Sequence, residues 1–221
     1  MSAPVILCFG DSNTHGTTPL TEWGRRDRWA RGARWPDLLA EATGATVIAE
    51  GHPGRTTVHD DPVEGAHKNG LTALPVLLET HRPVDLVITM LGTNDCKPRF
   101  AVGAGDIARS VDRLLRMILA SEAGPDGGPP KLGLVAPAPI LETGLLADIF
   151  RGGAEVSRGL AAPLAEVARA HGAWFLDAAG HAEVSPVDGV HLTPDGHAAL
   201  AAAMAPLVRE SLELPPPGNG G

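Results

Sequence analysis

The chain has 221 residues, 43% of them hydrophobic, with 18 basic against 26 acidic residues and a formal net charge of −8. That length fits one α/β domain whose core needs no disulfide or metal staple, because roughly 70% of an unfolded chain's surface can be buried at this size. The acidic balance excludes a nucleic-acid backbone as the main partner, since that requires a basic face, and no apolar run is long enough to span a bilayer.

Taken in order, Met-Ser-Ala-Pro-Val lacks the basic start of a signal peptide, so the expected address is the cytoplasm. Cys8 and Cys96, the two cysteines, fit free thiols of a reducing compartment. Val5-Ile6-Leu7-Cys8-Phe9 is an unbroken apolar run, the pattern of a strand buried on both faces. Gly10-Asp11-Ser12-Asn13-Thr14-His15-Gly16 follows with turn chemistry. It places a serine hydroxyl just beyond a strand's carboxyl end, where open parallel sheets bind ligands. The plainer alternative is that Asp11 and Ser12 only cap the next helix.

Residues 17–33 are polar, and arginines (Arg25, Arg26, Arg28, Arg31, then Arg34) alternate with Trp23, Trp29 and Trp35. They read either as a basic, aromatic wall of a cleft or oligomer contact, or as a solvated loop whose tryptophans cover the sheet edge. A helix is expected over 36–42, opened by Pro36 and closed by Gly44. A second strand, 46–50, empties into the glycine-rich loop Gly51-His52-Pro53-Gly54-Arg55-Thr56-Thr57. His59-Asp60-Asp61 has metal-ligand residue types, but three adjacent side chains seldom converge on one ion, and no metal is assigned. A helix over 71–81 with an early kink at Pro75 leads to a third strand, 84–91, and then directly to Gly92-Thr93-Asn94-Asp95.

Ile107, Val111, Leu114, Leu115, Ile118 and Leu119 fall on one face of an amphipathic helix expected over 104–122. A fourth strand, 132–135, is followed by a mobile cover over 140–153 lying on the sheet's carboxyl end. A helix over 155–171 and a fifth strand over 173–176 come next, then Asp188-Gly189-Val190-His191 and a final helix from Pro194 to about 212. Strands alternating with helices predict a doubly wound, five-stranded parallel sheet with right-handed crossovers and helices on both faces, in the flavodoxin-like order 2-1-3-4-5. One domain is expected over 1–214, with a disordered tail over 215–221.

Acyl transfer needs a nucleophile, a base, a group that orients the base, and donors aimed at the oxygen that becomes negative. Ser12 supplies the first and His191 the second. Asp188, three residues earlier, can hold the other imidazole nitrogen if the segment forms a tight turn. The backbone N–H groups of Ser12 and Gly54, with the Asn94 side-chain amide, can form the oxyanion hole. Singly, each is ordinary: a surface histidine, an Asp-Gly turn, an asparagine closing a strand. Their joint occurrence at strand carboxyl ends is the informative signal.

Gly10-Asp11-Ser12, the 51–57 loop, Gly92-Thr93-Asn94-Asp95 and Asp188-Gly189-Val190-His191 resemble the four sequence blocks of the GDSL-type SGNH hydrolases. The namesake residues match Ser12, Gly54, Asn94 and His191. Leu7-Cys8-Phe9-Gly10-Asp11-Ser12, Arg55-Thr56-Thr57 with Asp60-Asp61-Pro62, and Met90-Leu91-Gly92-Thr93-Asn94-Asp95 are similar to the bacterial arylesterase/acyltransferase branch. The resemblance implies an SGNH fold, short-chain ester hydrolysis by a Ser12-His191-Asp188 triad with no cofactor, acyl transfer to alcohols in some members, and a homo-oligomer. Asp11, His15 and Thr93 are the substrate-pocket candidates. Asn13 departs from the leucine of the four-letter name, and His15 stands where the branch often carries tryptophan. A carbohydrate O-deacetylase of the same family is the nearest alternative. A non-enzymatic flavodoxin-like module with Asp11 as phosphate acceptor is the remote one, weakened because no lysine follows the fifth strand. The expected partner is a small ester, with neither nucleic acid nor membrane.

Overall fold

A computed structural model describes residues 3–215. Its centre is β1 (Val5–Gly10), which pairs in parallel with β2 (Thr46–Gly51) on one side and β3 (Leu86–Met90) on the other. Beyond β3 lie β4 (Lys131–Ala136) and β5 (Trp174–Asp177), also parallel, so the order is β2-β1-β3-β4-β5 as expected. Because side chains alternate across a strand, the apolar run of β1 feeds two cores. Leu7 and Phe9 join Leu74, Val111, Leu114 and Leu164 on one face. Ile6 and Cys8 join Trp35, Leu39, Leu200 and Met204 on the other.

The first face is covered by α3 (Gly70–His81), α4 (Ala104–Leu119) and α6 (Ala161–Ala170); the second by α2 (Trp35–Thr43) and α7 (Pro194–Ser211). Ile107, Val111, Leu114, Leu115 and Ile118 of α4 are fully buried, each contributing about 1.5–3 kcal/mol by leaving water. Asn69 caps α3 by accepting the Leu71 and Thr72 N–H groups, and Thr193 caps α7 through Gly196.

Several expected boundaries move. The helix expected over 104–122 ends at Leu119, and the strand expected over 84–91 narrows to Leu86–Met90. The single helix expected over 155–171 is two, α5 (Gly153–Arg158) and α6. α5 ends at a Gly159 cap, and Pro163 falls in the first turn of α6, where its missing N–H costs least. The helix expected to kink at Pro75, by contrast, runs unbroken as α3, and α7 likewise contains Pro206. The cover expected to be mobile over 140–153 is instead tied down. Leu141 N–H donates to the Gly189 carbonyl at 2.8 Å, Thr143 Oγ1 to the Pro186 carbonyl at 3.0 Å, and Ile140, Leu146 and Phe150 are buried. The expected tail falls outside the described residues except for Pro215, which is exposed.

Candidate active site

Ser12 opens α1 (Ser12–His15), a single helical turn set on the end of β1. Asp11 caps that turn, its carboxylate accepting the Asn13 N–H at 2.9 Å. The turn doubles back so tightly that a Cβ on Gly10 would lie 2.0 Å from Thr14 Oγ1, which is why the strand ends in glycine. The Ser12 N–H, at the first position of the turn, has no intrahelical acceptor.

The loop after β2 is fastened to the same strand end. His52 N–H and Arg55 Nη1 both donate to the Gly10 carbonyl, at 3.1 and 2.9 Å, and the Arg55 guanidinium stacks 4.5 Å over the Phe9 ring. Burial pushes Arg55 down to about 10, against the attraction of Glu50 and Asp11. Gly54 lies in the left-handed region at φ 80°, and a Cβ there would meet Glu64 Oε2 at 2.7 Å. The glycine is therefore favoured by its left-handed backbone, which L side chains rarely adopt.

Asn94 follows β3 and lies between these segments. Its Nδ2 donates to the Arg55 carbonyl at 3.1 Å and approaches Asp11 Oδ2 at 3.4 Å, the weak end of hydrogen-bond range. Asp95, beside it and fully buried, accepts the Thr57 N–H at 3.1 and 3.0 Å on its two oxygens and the Thr57 hydroxyl at 2.5 Å on Oδ1. The Gly54 and Asn94 loops are thus stitched together. Burial lifts the Asp95 carboxyl to about 7, despite the bonds from Thr57.

The spacing in Asp188-Gly189-Val190-His191 forms the tight turn it suggested. His191 Nδ1 lies 2.6 Å from Asp188 Oδ2. Asp188 Oδ1 accepts the N–H groups of Val190 and His191, both at 3.1 Å, and Oδ2 also accepts the Leu20 N–H at 2.7 Å. Burial works to raise the Asp188 carboxyl, but these bonds and the nearby His191 outweigh it and hold it below its ordinary 3.8. An ionised Asp188 makes Nδ1 the protonated nitrogen and leaves Nε2 as the acceptor. The His191 ring is hydrogen-bonded to Asp188 and makes no hydrogen bond to Ser12 Oγ.

Ser12, Gly54, Asn94 and His191 all open onto one cavity of about 150 Å³. Its apolar lining comes from Leu20, Trp23, Leu146, Ile149, Phe150 and Val190, interleaved with the charged groups of Arg26, Glu64 and Lys97; Lys97 Nζ lies 5.7 Å from the centre of the Phe150 ring. Lys97 is buried, its Nζ 2.7 Å from Glu64 Oε1 and 3.7 Å from Asp61. The tryptophans of the arginine-rich stretch divide. Trp23 stands at the cavity, Trp29 Nε1 donates to the Leu192 carbonyl at 3.3 Å, and Trp35 is in the core. The cavity-wall reading therefore holds for Trp23 and Arg26, while Trp35 packs onto the central strand on one face of the sheet instead of covering its edge.

The three substrate-pocket candidates do not line this cavity. Asp11 is 1% exposed and lies behind it, occupied with Asn13 and Asn94; that burial also leaves no room for a phosphate-acceptor role. Thr93 is buried beside Asp11. His15 is carried onto β2, where a Cβ on Gly51 would meet its backbone nitrogen at 2.0 Å, and its Nδ1 pairs with Thr17 Oγ1 at 3.0 Å. Glu64 and Lys97 were not picked out from sequence, because each lies outside the four blocks, whereas the wall of Leu146, Ile149 and Phe150 belongs to the cover expected over 140–153. His59, Asp60 and Asp61 diverge: His59 stacks on Phe100, Asp60 bonds Asn69, and Asp61 pairs with Arg99. Among the described residues no three His, Cys, Asp or Glu side chains are grouped to hold a metal, and no helix is long and apolar enough to cross a membrane.

The model of the GDSL-like lipase/acylhydrolase family matches residues 8–199. No curated protein sequence matches. Among solved structures, the aryl esterase of M. smegmatis is 37% identical with a TM-score of 0.89, covering 94% of this chain and 99% of that one. The carbohydrate acetylesterase Est24 of Sinorhizobium meliloti is 34% identical with a TM-score of 0.88, at the same coverage of 94% and 99%. A carbohydrate acetylesterase family member, also from Sinorhizobium meliloti, is 35% identical with a TM-score of 0.87, covering 96% and 100%.

Proposed function

The chain belongs to the GDSL-like lipase/acylhydrolase family and is a carboxylic ester hydrolase; from that premise we propose that it cleaves short-chain esters through an acyl-enzyme on Ser12. The observation that carries this reading is the 2.6 Å Asp188–His191 pair opening onto the same cavity as Ser12. Ser12 Oγ attacks the ester carbonyl carbon while His191 Nε2 takes its proton. The carbonyl oxygen becomes negative and is met by the N–H groups of Ser12 and Gly54 and by the Asn94 Nδ2 proton that is not held by the Arg55 carbonyl. The 3.4 Å approach of Nδ2 to Asp11 gives way to the oxyanion. The tetrahedral intermediate then collapses, the C–O bond to the alcohol breaks, and His191 returns the proton to the leaving oxygen. Water repeats the sequence on the acyl-enzyme, and an alcohol in its place would give transfer. A cavity of about 150 Å³ suits an acetyl or small aryl group rather than a long chain.

A second reading, deacetylation of a carbohydrate, is favoured by the charged residues of the cavity lining. Arg26, Glu64 and Lys97 offer donors and acceptors that hydroxyl groups can use, while Trp23, Ile149 and Phe150 of the same lining suit an aryl alcohol. Labelling with a fluorophosphonate tests the nucleophile: one adduct on the Ser12 peptide is expected, and an adduct elsewhere would remove the mechanism. A panel of phenyl acetate, acetylated sugars and alkyl acetates, each assayed with wild type and Ser12→Ala, then ranks the two alcohols.

A further inference from the structure

Asn13 is the residue that departs from the leucine of the family's four-letter name, and its side chain reaches across the fold. Its Nδ2 donates to the Val190 carbonyl at 3.0 Å, and its Oδ1 accepts the Leu192 N–H at 3.0 Å. These are the backbone groups on either side of His191. One planar amide thus brackets that residue from the turn that carries Ser12. The assignment of oxygen and nitrogen follows from the partners, because a carbonyl can only accept and an N–H can only donate.

The clamp is rigid at both ends. Asp11 holds the Asn13 N–H at 2.9 Å, and Asp188 holds the Val190 and His191 N–H groups. Asn13 is 5% exposed, Val190 3% and Leu192 2%, so both bonds are made away from water, where an abandoned partner costs most. Leucine can neither donate nor accept here, aspartate cannot donate, and glutamine is one methylene longer. We propose that Asn13 is a positioning residue: by holding the peptide groups on both sides of His191, it sets the His191 ring against Ser12. The proposal rests on the reading of Ser12 as nucleophile and His191 as base.

The test compares Asn13→Leu and Asn13→Ala with wild type. The readouts are kcat and KM per titrated active site on phenyl acetate, the second-order rate of fluorophosphonate labelling, and the melting temperature. A displaced base predicts a fall of about 10–100-fold in per-site kcat, with the labelling rate falling in parallel and KM changed by less than about threefold. If Asn13→Leu does not fold, the smaller Asn13→Ala, which admits water to the vacated groups, decides. A folded Asn13→Ala with per-site kcat within about threefold of wild type would overturn the proposal, as would a loss explained wholly by fewer titratable sites. Ser12→Ala is labelled alongside: an adduct that persists there sinks the nucleophile assignment itself, independently of the Asn13 result.

Discussion

Replacing Asp95 by asparagine should change how stability depends on pH. The carboxyl is fully buried and lifted from 3.8 to about 7 by that burial, with the neighbouring Asp11 adding to the rise and Thr57 opposing it. Between these two values the folded protein keeps a proton that the unfolded chain has released. Stability from this group is therefore fully present below 3.8 and lost as pH rises through about 7. Each tenfold in the ionisation constant is worth about 1.4 kcal/mol, so the full penalty for a charged Asp95 is about 4 kcal/mol, of which about 2–3 kcal/mol develops between pH 5 and pH 8. The amide introduced by Asp95→Asn would still accept from Thr57 but could not ionise. Urea unfolding followed by tryptophan fluorescence, at pH 5, 6.5 and 8 for both proteins, isolates the effect, because all other groups cancel in the difference. Asp95→Asn should gain about 2–3 kcal/mol on wild type across that range. A difference constant to within about 0.5 kcal/mol would mean that Asp95 titrates normally.

Two further substitutions address the chemistry. Asp188→Asn keeps the shape of the turn but no longer requires a proton on His191 Nδ1, so turnover should fall by about 10⁴-fold with an intact circular dichroism spectrum; near-normal turnover at neutral pH would place the base elsewhere. Asn94→Ala removes one donor to the developing oxyanion and should lower kcat by about 10²–10³-fold with KM little changed. A folded, fully titratable variant with kcat within about threefold of wild type would leave the oxyanion to backbone donors alone.

What could be read along the chain was whatever depends on near neighbours in sequence. The apolar run of β1 and its abrupt end at Gly10 declare a buried strand followed by a turn. The three-residue step from Asp188 to His191 is a distance that one tight turn closes, and the structure closes it at 2.6 Å. Five such strands with helices between them leave few sheet orders, and the observed one is among the common solutions. Local punctuation was less secure where two signals met. Gly159 followed by Pro163 divides one expected helix in two, whereas Pro75 leaves α3 unbroken.

The rest was decided largely by contacts between residues far apart in sequence. Whether Asp11 and His15 face a ligand depends on what lies against them: Asn94 Nδ2 approaches the Asp11 carboxylate, and Thr17 pairs with the His15 ring. Lys97 and Glu64 meet across 33 residues, and the Leu20 N–H reaches Asp188 across 168. Asn13 reads in sequence as one more polar residue in a turn; only folding brings it, across 177 and 179 residues, to the two peptide groups that flank His191. Residue types declare which bonds a side chain is able to make. Burial decides which of them it must make, because a polar group removed from water has only the partners that the fold brings to it.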